Sequence, residues 1–215
     1  MPDDTTAIYL IRHGQTAWNV GEVFRGRADV PLDDLGHRQA RAVARFLTEE
    51  PVAAVYSSPL QRATATAHPI AASHGLEVIV DERLTDMDFG AWEGKALSDV
   101  PHVWPDLFAK WERKPQEVTF PGGESLPAVR ARSAAALEEC ASRHIGQSVA
   151  IVSHRVITKV LICYVLGLDD SHFWQIRQDT ACANRVERTP EIWIVTSIND
   201  TCHLRDLEGR RLRDF

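Results

Sequence analysis

Short apolar runs alternate with amphipathic stretches along this chain. Ala7-Ile8-Tyr9-Leu10-Ile11 is an apolar run that ends in Arg-His-Gly, the pattern of a buried strand followed by a loop. Ala40, Val43, Phe46 and Leu47 recur at helical spacing between Gly36 and Glu50, and Pro51 stops that helix. Val52 to Tyr56 predicts a second strand. Ser58-Pro59 then opens an alanine-rich helix to about Ser73, with the proline expected in the first turn. Val78-Ile79-Val80 reads as a third strand. Further on, Leu126, Val129, Leu137 and Cys140 share a helical stripe, and Val149 to Val152 forms a fourth strand ending in Ser153-His154. The next helix places Val156, Ile157, Val160, Leu161, Tyr164 and Val165 on one face and closes at Gly167. Cys182–Val186 and Ile192–Ser197 predict a hairpin turning at Thr189-Pro190. Strands alternating with helices specify an α/β fold with a largely parallel sheet.

Residues 81–123 interrupt this rhythm with Gly90, Gly94, four prolines and three of the six tryptophans. Inside a single domain spanning 1–215, such an excursion is expected to be a helical or loop insertion with a functional role.

Composition narrows the classes. Among 215 residues, 24 Lys+Arg face 30 Asp+Glu, a formal charge of −6, which argues against nucleic-acid binding. No apolar run reaches membrane-spanning length, and the acidic start Met1-Pro2-Asp3-Asp4 is unlike a secretory signal, so a cytoplasmic protein with no membrane partner is expected. The four cysteines are widely spaced, without a CxxC pair, and are expected to stay reduced, with Cys163 packing as a small hydrophobe. The spacing Gly21 to Gly26 imitates a phosphate loop but lacks its Lys and Ser/Thr. No GxGxxG, HExxH or GxSxG occurs.

The chemistry lies at strand ends. Two strands end in histidine, at Arg12-His13-Gly14 and Ser153-His154, and in open α/β sheets ligands bind outside the carboxyl ends of the strands. Arg12 and Arg62, the latter just past the second strand, can join them. Guanidinium forks match phosphate oxygens and keep their charge. One such residue alone is usually structural; together they describe a pocket for a dianionic phosphoryl group.

At these residues the chain resembles the histidine phosphatase superfamily, the group that includes the cofactor-dependent phosphoglycerate mutases. The similarity runs through Arg12-His13-Gly14-Gln15-Thr16-Ala17-Trp18-Asn19, Asp29-Val30-Pro31-Leu32, Ser57-Ser58-Pro59-Leu60-Gln61-Arg62-Ala63, Asp88-Phe89-Gly90-Ala91-Trp92-Glu93-Gly94, Gly122-Gly123-Glu124-Ser125 and Val152-Ser153-His154. The resemblance implies a mostly parallel six-stranded sheet with helices on both faces and a small helical insertion beside the active site. It implies that His13 is the nucleophile that becomes phosphohistidine. Arg12, Arg62 and His154 match the phosphate clamp, and Asn19 matches a further phosphate-pocket position. Many members place a Glu as acid three residues before the aromatic; that slot holds the shorter Asp86, with Asp88 and then Glu93 as alternatives.

Arg155 stands where much of the family has Gly. Gly167-Leu168-Asp169, His172-Phe173-Trp174 and Thr201-Cys202-His203-Leu204 resemble the metal-independent phosphoserine phosphatase branch, although Phe89 replaces a His tied to phosphoserine recognition there. Arg25, Arg27, Arg155 and His203 are candidates for meeting a carboxylate at the substrate's far end.

The expected activity is metal-independent hydrolysis of a small phosphomonoester, with phosphoserine, phosphoglycerate derivatives, α-ribazole phosphate and sugar phosphates all open as substrates. No cofactor and no metal is expected, since fixed cations stand in for one. Phosphoglycerate mutase-type transfer is the alternative, disfavoured by the short chain, and a non-catalytic phosphate-recognition module is a third reading. The exposed edge of the C-terminal hairpin offers a homodimer surface.

Overall fold

A computed structural model describes residues 4–207. Its sheet has six strands: β1 (Thr6–Arg12), β2 (Val52–Ser57), β3 (Val78–Val80), β4 (Ser148–Ser153), β5 (Ala183–Arg188) and β6 (Trp193–Asp200). Their order is β3-β2-β4-β1-β5-β6. The first four run parallel, and β5 and β6 form the antiparallel hairpin at one edge.

Every residue of β1 and β4 is buried, as expected for central strands covered on both faces. The two-residue period divides them. Tyr9, Ile11, Ala150 and Val152 pack against α2 (Asp34–Leu47) and α3 (Gln61–Ser73). Ile8, Leu10, Val149 and Ile151 face α6 (Leu126–Arg143), α7 (Arg155–Val165) and residues of the 81–123 segment. Helices therefore lie on both faces of the sheet.

The 81–123 excursion contains α4 (Val100–Val103), α5 (Pro105–Arg113) and three 3-10 turns. It is organised around fully buried Trp92, whose ring lies 4.8 Å from Phe120 and 5.1 Å from Phe24, centroid to centroid. Trp111 joins the same cluster, 5.2 Å from Phe120 and 5.3 Å from both Phe173 and Trp174. Aromatic edge contacts of this kind give a loop-rich segment a core of its own.

The sequence places Pro59 in the first turn of α3, whereas the helix begins two residues later with Leu60 as its N-cap, and Pro69 lies inside it. The extended Leu60 is what lets β2 turn into this helix. All four cysteines are free thiols. Burial pushes the Cys163 thiol up to about 11 and Cys182 to about 12, consistent with packing roles. No helix among the described residues is long and apolar enough to cross a membrane.

Candidate active site

Sheet order creates the site. With β2, β4 and β1 adjacent and parallel, their carboxyl ends open side by side. Arg12 pairs in register with Ser153, the His13 amide donates to the Ser153 carbonyl at 2.9 Å, and the Ser58 amide donates to the Val152 carbonyl at 3.0 Å. His13, His154 and the Ser58–Arg62 segment are thereby fixed by backbone ladders. The two imidazoles lie 5.2 Å apart, centroid to centroid, and both are buried.

His13 Nδ1 lies 2.6 Å from the Gly14 carbonyl. A carbonyl only accepts, so Nδ1 carries the proton and the Nε2 lone pair is left for attack. Gly14 is required where it stands: a side chain there would meet the Gly36 carbonyl of α2 at 2.6 Å. Burial first, then the charges of Arg62, Arg12 and Arg25, hold the His13 imidazole well below its usual range and therefore neutral. His154 is held low by burial, then by Arg62, His13 and Arg12.

Arg62 is wholly buried in the first turn of α3 and its guanidinium is fully oriented. Nε donates to His154 Nδ1 at 3.2 Å, one terminal nitrogen donates to the Ala28 carbonyl at 2.7 Å, and the other to the Gly26 carbonyl at 2.8 Å and to Asp86 Oδ2 at 3.2 Å. With His154 Nδ1 accepting, Nε2 carries the hydrogen and donates to Ser58 Oγ at 2.7 Å. Arg12 donates to the Gln178 carbonyl at 2.7 Å, which fixes one end of its guanidinium. Ser58 and Gln178 are positioning groups that the pattern of charged residues did not single out. Ser58 lies inside a matched motif, but the Gln178 contact is to backbone and carries no side-chain signal.

Asp86 enters this cup from the 81–123 segment. It is 5 % exposed, lines the same small pocket as His13, and its Oδ2 lies 3.7 Å from His154 Nδ1. The loop carrying it is clamped by Arg132 of α6, which donates to the carbonyls of Arg83, Thr85 and Asp86 and to both oxygens of Glu124. Ser153 Oγ adds a bond to the Leu84 carbonyl at 2.7 Å. The other two acid candidates hold the loop instead. Asp88 caps the Gly90 amide at 2.8 Å, and Glu93 accepts from the amides of Arg27 and Phe89.

The remaining candidates divide. Arg25 and Arg155 border the cavity with His13 and Asp86. Asn19 Oδ1 closes a capping box with Thr16 at α1 (Ala17–Val20), shaping the loop after His13. Arg27 is half-exposed and faces Asp88 and Glu124. His203, expected to touch substrate, is drawn elsewhere: Nε2 donates to the Ala181 carbonyl at 2.8 Å and its ring stacks on Phe46 at 4.9 Å, because the turn after β6 packs against α2. Trp111 is core, as its aromatic neighbours require.

A neutral, oriented imidazole inside a cup of fixed cations, with a carboxyl group at its rim, is the make-up of a phosphoryl-transfer enzyme. A family model described as histidine phosphatase superfamily (branch 1) matches residues 8–201. Phosphoserine phosphatase 1 of Hydrogenobacter thermophilus is 36% identical over 197 residues, covering 92% of this chain and 93% of that one. A protein of Photorhabdus laumondii named probable phosphoglycerate mutase GpmB is 31% identical over 206 residues, covering 92% and 94%. Among solved structures, Bacillus stearothermophilus YhfR superimposes with a TM-score of 0.88 at 29% identity, covering 93% of this chain and 99% of that one. The chain belongs to the histidine phosphatase superfamily, branch 1. It is by class a phosphomonoester hydrolase acting on a small phosphorylated substrate.

Proposed function

We propose that the protein hydrolyses a small phosphomonoester of the phosphoserine or phosphoglycerate kind, without a metal, through a phosphohistidine on His13. The observation that carries this reading is the Nδ1 contact of His13 with Gly14 in a cavity that also holds Asp86. It leaves Nε2 unprotonated, the form of the ring that can attack phosphorus.

The substrate's phosphate enters among Arg12, Arg62 and His154. Their donors are already in place, so charge on the equatorial oxygens is met with little reorganisation. His13 Nε2 attacks phosphorus as the ester oxygen departs. An alkoxide leaves poorly, and Asp86 acts as the general acid at the departing oxygen; such help is worth about 10²–10⁴ in rate. As the phosphate takes up Arg62's terminal nitrogen, Asp86 loses that ion pair and is free for proton transfer. Water then attacks the phosphohistidine, with Asp86 as base, and phosphate leaves.

The test is a phosphate-release assay on phosphoserine and on 3-phosphoglycerate with 2,3-bisphosphoglycerate, run with and without EDTA and repeated with His13→Ala. Free phosphate, unaffected by chelator and lost in His13→Ala, is expected. Formation of 2-phosphoglycerate in place of phosphate, or activity lost to EDTA and restored by a divalent ion, would overturn the reading.

A further inference from the structure

We infer that Arg155 is a specificity-determining residue, binding a carboxylate that the substrate carries beside its phosphate. The inference rests on the phosphomonoesterase reading above and adds to it the recognition of the substrate's other end.

Arg155 is the first residue of α7 and directly follows His154, so its main chain is fixed relative to the phosphate cup. It is 7 % exposed and borders the cavity that holds His13 and Asp86. Phe89 and Val156 border the same cavity, and a guanidinium beside apolar walls attracts an anion more strongly than one in water. The helix adds to this: α7 begins with no side-chain cap, and its positive end lies at Arg155.

The side chain is also held from behind. Its guanidinium carbon lies 5.9 Å from the centre of the Trp174 ring, and that ring is oriented by the indole N–H donating to the Trp111 carbonyl at 2.8 Å. Lys159, one turn along the same helix, places Nζ 4.5 Å from the Phe173 ring and 4.7 Å from Trp174. Like charges at this spacing destabilise a helix, and the two aromatic rings offset that cost. A planar fork at the edge of a small cavity matches a carboxylate in two parallel bonds.

The test uses two substrate pairs that differ by the carboxylate: phosphoserine with phosphoethanolamine, and 3-phosphoglycerate with glycerol 3-phosphate. The wild type is expected to favour the carboxylate member of at least one pair. Arg155→Gln is expected to lower that kcat/KM ratio about 10–100-fold, mainly through KM, the size of a lost charge-assisted bond. Arg155→Lys should restore part of it as a point charge. An unchanged ratio in Arg155→Gln, equal losses on both members, or no wild-type preference in either pair would overturn the proposal while leaving phosphatase activity intact. Failure of the wild type to release phosphate from any of the four or from p-nitrophenyl phosphate would instead overturn the underlying reading.

Discussion

The two halves of the site are built by different means. His13, His154, Arg12 and Arg62 stand at the ends of parallel strands or in the helix turn that follows, and backbone ladders set their spacing. Asp86 stands on a loop with no ladder, held by the Arg132 guanidinium, by Ser153 and by aromatic packing around Trp92. Cation placement is thus a property of the sheet, and acid placement a property of side-chain contacts to one loop. On the proposed mechanism the first half binds phosphate and accepts the phosphoryl group. On the same mechanism the second half sets which leaving groups are tolerated. Asp86 can therefore be changed while the backbone ladders that space the cup are kept, although it also pairs with Arg62 at 3.2 Å.

The sharpest way to separate the halves is Asp86→Asn. Hydrolysis of an alkyl phosphate is expected to fall about 10²–10⁴-fold in its phosphorylation step, measured by single-turnover kinetics. p-Nitrophenyl phosphate, whose leaving group needs no proton, should lose far less in that step. Equal losses on both would place the acid elsewhere.

A gentler intervention is Arg132→Lys, which keeps a charge opposite Glu124 but cannot span three carbonyls. Misplacing a reacting group by about an ångström can cost up to about 10²-fold. Alkyl phosphate turnover is expected to drop about 10-fold or more relative to p-nitrophenyl phosphate. A uniform change would show that the clamp serves only the fold.

The cup makes its own prediction about pH. His13 is held neutral when folded but takes up a proton near its usual value, about 6.5, once unfolded. The unfolded chain therefore binds more protons below about pH 6.5, and stability falls as pH drops through that point toward the lowered folded value. Each such histidine contributes up to roughly 1.4 kcal/mol per pH unit. His13→Gln should flatten the dependence of unfolding free energy on pH by about that amount, read from denaturant titrations between pH 5 and 6.5. An unchanged slope would mean that the imidazole is protonated in the cup.

The same contrast explains what could be read from the sequence. Both histidine-bearing strand ends announced themselves, because a buried parallel strand is a short apolar run and its first polar residues mark the opening of the sheet. The convergence of Arg62 followed from its place just after β2. Asp86 was proposed from its position in a motif, and nothing in the local pattern distinguished it from Asp88 or Glu93. Only the loop's three-dimensional course turns Asp86 toward the cup and uses the other two as backbone caps. His203 shows the opposite failure: a histidine in a matched motif is taken up by Phe46 and the Ala181 carbonyl, contacts that no spacing reveals. The clamp from Arg132, 46 residues from Asp86, was equally invisible.

The central claim is covalent bonding of phosphorus to His13. Rapid-quench labelling with ³²P-p-nitrophenyl phosphate in the Asp86→Asn chain, where loss of the base slows release, tests it most directly. The expected result is close to one acid-labile, base-stable label per chain on the peptide containing His13, absent when His13 is also replaced by Ala. Turnover without such a label, or label on another side chain, would contradict the account.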